Sequence, residues 1–243
     1  MGHRVVPKED PRLHVEDIKY RGETGDVSAH FAMPKGEAKL PGVVVICEIW
    51  GLVDHIKEVA QRVALEGFLA IAPDALSPLG GTPEGLDKKE IGEVFSLIRK
   101  LDDQETIKNF VAAEKYLETH PHSTGKVGVM GFCWGGGLTN QLAVNSPDFK
   151  AAVPFYGRQP APEDVPKIKT PLLIHYASDD KRINEGIPAF EAALHEAAID
   201  YQIFMYEDTK HGFFNDTRPI YHEEAAKLAW KRTIDFFKQK LKT

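Results

Sequence analysis

A chain of 243 residues that is 42% hydrophobic and carries a formal net charge of −6 is sized and composed for one large soluble α/β domain. The acidic balance, without any long basic block, argues against a nucleic-acid partner, and no apolar run approaches the roughly 20 residues that cross a bilayer. Two cysteines, Cys47 and Cys133, are too few for a disulfide framework, so a reduced chain is expected. Met1-Gly2-His3-Arg4 lacks the apolar segment of a secretory signal, which makes a cytoplasmic location the expectation, or a periplasmic one if an export signal has been trimmed away. No CxxC or paired-histidine spacing suggests a metal, and no motif asks for a cofactor.

Residues 1–14 read as a polar N-terminal arm punctuated by Pro7 and Pro11, and residues 15–243 as a single domain. Val15–Tyr20 and Val27–Met33 are predicted strands joined by a turn over Gly22–Gly25, a hairpin at a sheet edge. After a polar connector, Lys35–Pro41, the β-branched run Gly42–Ile49 predicts a central strand ended by Trp50-Gly51-Leu52. Ile56–Gly67 has helical spacing, Phe68–Ala75 is a second buried strand, and Leu76–Gly85 is too rich in glycine and proline to be regular. Two helices are expected over Asp87–Lys100 and Asp102–Thr119.

Lys126–Met130 then reads as a buried strand and Leu138–Val144 as a helix, with Gly131-Phe132-Cys133-Trp134-Gly135 between them. Later strands are expected at Ala151–Tyr156, Leu172–Tyr176 and Tyr201–Tyr206, with a proline-rich loop reaching Lys169. Helices are expected at Pro188–Ala198 and Glu223–Lys240. Strands alternating with helices imply a mostly parallel sheet of about eight strands covered on both faces.

The segment 131–135 has the form of the G-x-S-x-G nucleophile elbow with cysteine in place of serine. Glycines leave room for a sharp strand-to-helix turn, and the helix aims its N-terminal N–H groups at the sulfur, which favours thiolate. A thiol nucleophile needs a base, a group that orients the base, and donors for the developing oxyanion. In such sheets these groups follow the carboxyl ends of strands. Asp179-Asp180 follow one strand and His211-Gly212-Phe213 follow the last, giving the order cysteine, acid, histidine found in α/β-hydrolases. Periodicity does not choose between Asp179 and Asp180, either of which could instead cap a helix. His175, inside a strand, reads as a hydrogen-bonded core histidine. Glu48 is a carboxylate in an otherwise apolar strand and is expected to have a partner or a raised pKa.

Together, Cys47-Glu48-Ile49-Trp50-Gly51, Lys126–Gly137, His175–Asp180 and His211-Gly212-Phe213 resemble the dienelactone hydrolase (carboxymethylenebutenolidase) family of the α/β-hydrolase superfamily. The resemblance runs from about residue 15 to the end. It implies a hydrolase of small esters or lactones with Cys133 as nucleophile, His211 as base and Asp180 as its orienting acid, since Ile183 stands three residues beyond. It further implies an oxyanion hole from the backbone N–H groups of Ile49 and Trp134, and Glu48 as the carboxylate that holds the resting thiol. Where bacterial members carry an arginine four residues after the histidine, this chain has Asn215. Arg158 and Arg218 are the nearest substitutes, and Trp50, Tyr156 and Phe213 the aromatic candidates for the substrate pocket. Without the arginine clamp, neutral substrates are expected to be preferred over carboxylate-bearing ones. A thioesterase, acyltransferase or dehalogenase on the same scaffold, and a non-catalytic thiol sensor, are the competing readings. The partner expected is a small molecule, with no membrane association, in a monomer or a homodimer.

Overall fold

Long β-branched runs and helical apolar stripes alternate along this chain, and in the computed structural model they become eight strands and seven helices among the described residues, which are 10–36, 38–83 and 90–242. The strands form one sheet in the order β1-β2-β4-β3-β5-β6-β7-β8. They are β1 (Leu13–Gly22), β2 (Gly25–Pro34), β3 (Leu40–Ile46), β4 (Leu69–Pro73), β5 (Ser123–Phe132), β6 (Ala151–Phe155), β7 (Leu172–Asp179) and β8 (Tyr201–Lys210). The helices are α1 (Asp54–Leu65), α2 (Glu90–Ile98), α3 (Asp103–Glu118), α4 (Trp134–Asn145), α5 (Lys181–Asn184), α6 (Ile187–Glu196) and α7 (Glu223–Leu241). Among the described residues no helix is long and apolar enough to cross a membrane.

The chain divides into two compact units at Lys126–Val127, inside β5. In the first, β1 and β2 form the expected antiparallel hairpin, with Gly22 opposite Gly25 across the turn, and β2 continues antiparallel onto β4. β3 and β4 run parallel and are buried along nearly their whole length, so both faces of the sheet are covered there. The strand predicted over Gly42–Ile49 ends earlier, at Ile46, which puts Glu48 in the turn that follows. The Gly- and Pro-rich segment after β4 contains a short 3-10 turn, Ser77–Leu79, and is organised by Asp74. That buried carboxylate accepts from the N–H groups of Leu76 and Thr82 and from the Thr82 hydroxyl at 2.7–3.0 Å. Of the loop predicted there, Glu84 and Gly85 lie outside the described residues, as do the first three residues of the helix expected from Asp87.

In the second unit β5, β6, β7 and β8 are all parallel. β6 is buried throughout, and α4 and α7 pack against it. The proline-rich loop holds a 3-10 segment, Pro162–Lys167, which has no apolar periodicity to announce it. β8 runs four residues past its predicted end, to Lys210, through an irregularity in its pairing with β7.

Candidate active site

The elbow forms because β5 must turn into α4 with no loop between them. Cys133 carries the whole change of direction, at φ 57° and ψ −114°, a region that non-glycine residues rarely occupy. Its strained backbone is tied on both sides: the N–H donates to the Phe155 carbonyl and the carbonyl accepts from Gly137 N–H, each at 3.0 Å. A Cβ on Gly131 would sit 2.2 Å from the Gly135 carbonyl oxygen, and one on Gly136 2.4 Å from the Phe155 oxygen. Neither position admits a side chain, so the glycines are there for close backbone approach. The Thr139 hydroxyl donates to the Gly135 carbonyl at 2.8 Å and fixes the first turn of α4. The cysteine side chain is half-buried, and Trp134, also half-buried, is the first residue of a helix whose leading N–H groups have no intrahelical acceptor.

Asp180 follows β7 and is buried, whereas Asp179 is exposed at the strand end. Of the two, it is Asp180 whose Oδ2 accepts a hydrogen bond from His211 Nδ1, at 2.5 Å. Asp180 also occupies the N-cap position of α5, but its side chain does not cap the helix. With Nδ1–H committed to the carboxylate, Nε2 is the nitrogen at which the ring gains or loses its second proton. That atom is buried and has no partner within hydrogen-bonding geometry. Cys133 is nevertheless near enough to act on it: burial lowers the His211 pKa, but the Asp180 carboxylate and the Cys133 sulfur together outweigh burial and push it up to about 9.

The other expected residues fall into distinct places. His175 is a buried core histidine, as predicted, bonded through Nε2 to the Thr233 hydroxyl at 3.0 Å and through Nδ1 to the Tyr206 hydroxyl at 2.9 Å. Burial, reinforced by the Arg232 charge, pushes its pKa down to about 3, so it stays neutral. Tyr156 is fully buried, with a positive φ of 37° and its ring centroid 5.0 Å from that of His211. Phe213 and Phe214 are buried among other rings: Phe213 lies 5.5 Å from Tyr156, and Phe214 stacks on Phe132 at 5.0 Å. Asn215 is buried too, and its Oδ1 accepts from the Thr217 N–H at 3.0 Å and from the Thr217 hydroxyl at 2.6 Å, shaping the turn after the histidine. Arg158 is exposed and Arg218 half-buried. In the first unit, Glu48 is buried just beyond β3, and Ile49 and Trp50 are half-buried in the turn that follows, where Gly51 N–H donates to the Glu48 carbonyl at 3.3 Å. Among the described residues, no group of three or more His, Cys, Asp or Glu side chains could hold a metal ion.

Sequence reasoning passes over Phe155, whose carbonyl anchors Cys133, and Asn140, whose side-chain amide donates to the Arg158 carbonyl at 2.9 Å. The first acts through its backbone and leaves no trace in residue type. The second lies among the polar residues Thr139-Asn140-Gln141 of α4, and nothing in that pattern says which of them turns inward.

Residues 27–241 match the dienelactone hydrolase family. A protein of Saccharolobus solfataricus provisionally named carboxymethylenebutenolidase is 32% identical, with 92% of this chain and 98% of that protein covered. One of the same provisional name from Escherichia coli K12 is 31% identical, covering 97% of this chain and 90% of the relative. Among solved structures, the crystal structure of a provisionally named dienelactone hydrolase from Klebsiella pneumoniae superposes with a TM-score of 0.85 at 28% identity, covering 93% of this chain and 99% of that one. The chain belongs to the dienelactone hydrolase family, a family of hydrolases with the α/β-hydrolase fold.

Proposed function

We propose that the protein hydrolyses small esters and lactones through an acyl-thioenzyme on Cys133. The observation that carries this reading is the state of His211: Nδ1 is locked on a buried carboxylate, and Nε2 is buried, without a hydrogen-bond partner and under the influence of the Cys133 sulfur. That is the arrangement of a base held in one tautomer for a nucleophile. His211 Nε2 takes the thiol proton, and the sulfur attacks the substrate carbonyl carbon to form a C–S bond and a tetrahedral oxyanion. The Trp134 N–H at the start of α4 is one donor to that oxyanion, and Ile49 N–H, by the family resemblance, is the second. As the oxyanion collapses, the C–O bond to the alcohol breaks and the imidazolium returns its proton to the leaving oxygen. Water, deprotonated by His211, then attacks the thioester, releases the acid and restores the thiol. Asp180 stabilises the imidazolium in both halves without giving up its own charge. Glu48 keeps the role that the resemblance implies, holding the resting thiol.

The substrate preference follows from the loop after the histidine. Asn215 spends its side-chain oxygen on Thr217 and offers no cation, so a substrate carboxylate there would be poorly paired as water leaves. The test is a panel of neutral esters, lactones and thioesters with carboxylate-bearing analogues, run on wild type and Cys133→Ala. The reading expects faster turnover of the neutral compounds and a loss on the order of 10⁶-fold in kcat for the variant. Near-normal kcat in Cys133→Ala would remove the nucleophile. A preference for the anions, lost in Arg158→Ala, would reverse the substrate assignment.

A further inference from the structure

The histidine of the candidate pair reaches its acid only because β8 is irregular. Ala177 of β7 pairs with Tyr206 of β8, but the next pair is Asp179 with Lys210. One residue on β7 therefore faces three on β8. Had the register continued unbroken, Thr209 would stand level with Asp180. The two extra residues bring His211 there instead. The excess is absorbed at Asp208, which adopts φ 54°, and is closed by the buried Thr209 hydroxyl donating to the Tyr206 carbonyl at 2.7 Å. Bulges of this kind re-aim side chains beside active sites, and one whose strand can slip delivers the side chain imprecisely.

The last regular pair before the bulge is held by a polar chain that is buried except at its half-buried Arg232 end. Arg232 of α7 lies 3.8 Å above the Phe204 ring and donates through Nη1 to the Tyr206 hydroxyl at 3.1 Å. At the other end, the Thr233 hydroxyl spends its proton on the Ala229 carbonyl at 2.8 Å, so towards His175 it accepts. His175 Nε2 is therefore the protonated nitrogen and Nδ1 the acceptor, and the Tyr206 hydroxyl, which accepts from Arg232, donates to it. The Tyr206 and Thr233 hydroxyls and both ring nitrogens of His175 are matched in donor and acceptor, which makes this part of the chain rigid. It also touches the support of all three site residues. The His175 ring lies 4.4 Å from Phe155, whose carbonyl holds Cys133. The Tyr206 ring lies 5.1 Å from Phe213, which packs on Tyr156 beside His211. Asp180 follows five residues after His175 on the same chain direction, just past β7.

We propose that Tyr206, clamped between Arg232 and His175, is a positioning residue that fixes the β7–β8 register ahead of the bulge and so sets the geometry of His211 against Asp180. It touches no reacting atom. The proposal rests on the Cys133–His211–Asp180 reading for its kinetic consequences only, because the His211–Asp180 geometry can be read without substrate. Tyr206→Phe removes one hydroxyl and leaves the ring, so Arg232 and His175 lose their common partner.

The experiment measures kcat, KM and the NMR titration of the His211 imidazole in wild type, Tyr206→Phe, Arg232→Met and Leu194→Val. The last is a control at the buried Leu194 of α6, which takes no part in the polar chain. Asp180 and Cys133 are the ionisable groups that act on His211, and both are kept in every variant. For Tyr206→Phe the expected result is a fall of about tenfold in kcat with KM within about twofold, and a His211 midpoint lowered by about one unit as its bond to Asp180 loosens. Arg232→Met, which leaves the phenol on His175, shifts both in the same direction by less, and answers the question if Tyr206→Phe fails to fold. Leu194→Val lowers the melting temperature and moves neither. An unchanged His211 midpoint in Tyr206→Phe and Arg232→Met, or an equal shift in Leu194→Val, overturns the proposal. Turnover surviving in Cys133→Ala would instead overturn the hydrolase reading and leave the titration result standing.

Discussion

Each unit of the chain contains a histidine whose Nδ1 is bonded to an aspartate, and the contrast between the two pairs shows what makes one of them a site. In the first unit His30 meets Asp17 at 2.7 Å, directly across the β1–β2 ladder. In the second, His211 meets Asp180 at 2.5 Å, in loops beyond β8 and β7. The difference lies at the other nitrogen. His30 Nε2 is filled by the Gln61 amide at 3.2 Å, whereas His211 Nε2 is buried with no such partner. The acids differ as well: the Asp17 side chain is 70% exposed and that of Asp180 7%. As a result burial wins at His30 and lowers its pKa despite the carboxylate, while at His211 the carboxylate and the sulfur overcome burial and raise it. The first pair is thus a structural cross-strand contact with its second nitrogen occupied, and the second leaves that nitrogen for the role of base proposed above.

Removing each ring should give the largest contrast between the two pairs. His211→Ala is expected to lower kcat on the order of 10⁶-fold, and also to lower the melting temperature because Asp180 is left buried without its partner. His30→Ala should leave kcat within about threefold while costing about 1–3 kcal/mol of stability, because Gln61 and Asp17 lose a partner. Steady-state kinetics and denaturant unfolding on both variants decide it, and comparable kinetic losses would erase the distinction.

Next in size is the loss of each acid's charge. Asp180→Asn should cost about 10⁴-fold in kcat, since the amide no longer stabilises the imidazolium or fixes its tautomer. Asp17→Asn, and Asp179→Asn at the exposed neighbour, should stay within about threefold. Equal, mild losses in all three would place the acid elsewhere.

The smallest effect is thermodynamic and of opposite sign in the two pairs. Against the effect of burial, the Asp180 carboxylate and the Cys133 sulfur push the folded His211 pKa up to about 9 from an ordinary 6.5, so the folded protein binds the extra proton between those values. Its stabilising contribution is complete below pH 6.5 and is lost as the pH rises through about 9. His30 is depressed, so its contribution is present above 6.5 and is lost as the pH falls. Melting curves from pH 5 to 10 should show a shallower alkaline decline in His211→Gln and a shallower acid decline in His30→Gln. Parallel curves for the two variants would contradict the assignment.

Much of this was legible in the sequence, and the gaps have physical causes. Buried parallel strands advertise themselves as continuous apolar runs, so β3 to β7 were located to within a few residues, and the glycines around Cys133 marked the elbow because close backbone approach admits nothing larger. Asp179 and Asp180 could not be separated, because adjacent residues differ only in which one the chain turns inward. The extension of β8 was hidden because its bulge uses Asp208 in a left-handed conformation, with no glycine to signal it. α5 has four residues, too few for any periodicity. The His30–Asp17 pair was invisible for another reason: its partners are 13 residues apart and meet only through the hairpin register.

In the proposed mechanism the Cys133 sulfur carries the acyl group during turnover. Wild-type protein mixed with an activated neutral ester, quenched in acid within the first turnovers and mapped by mass spectrometry, tests it directly. The account predicts one acyl group per chain, located on Cys133, that disappears as substrate is exhausted and is absent in Cys133→Ala. Full turnover with Cys133 unmodified at every quench time, or an acyl group on another residue, would contradict it.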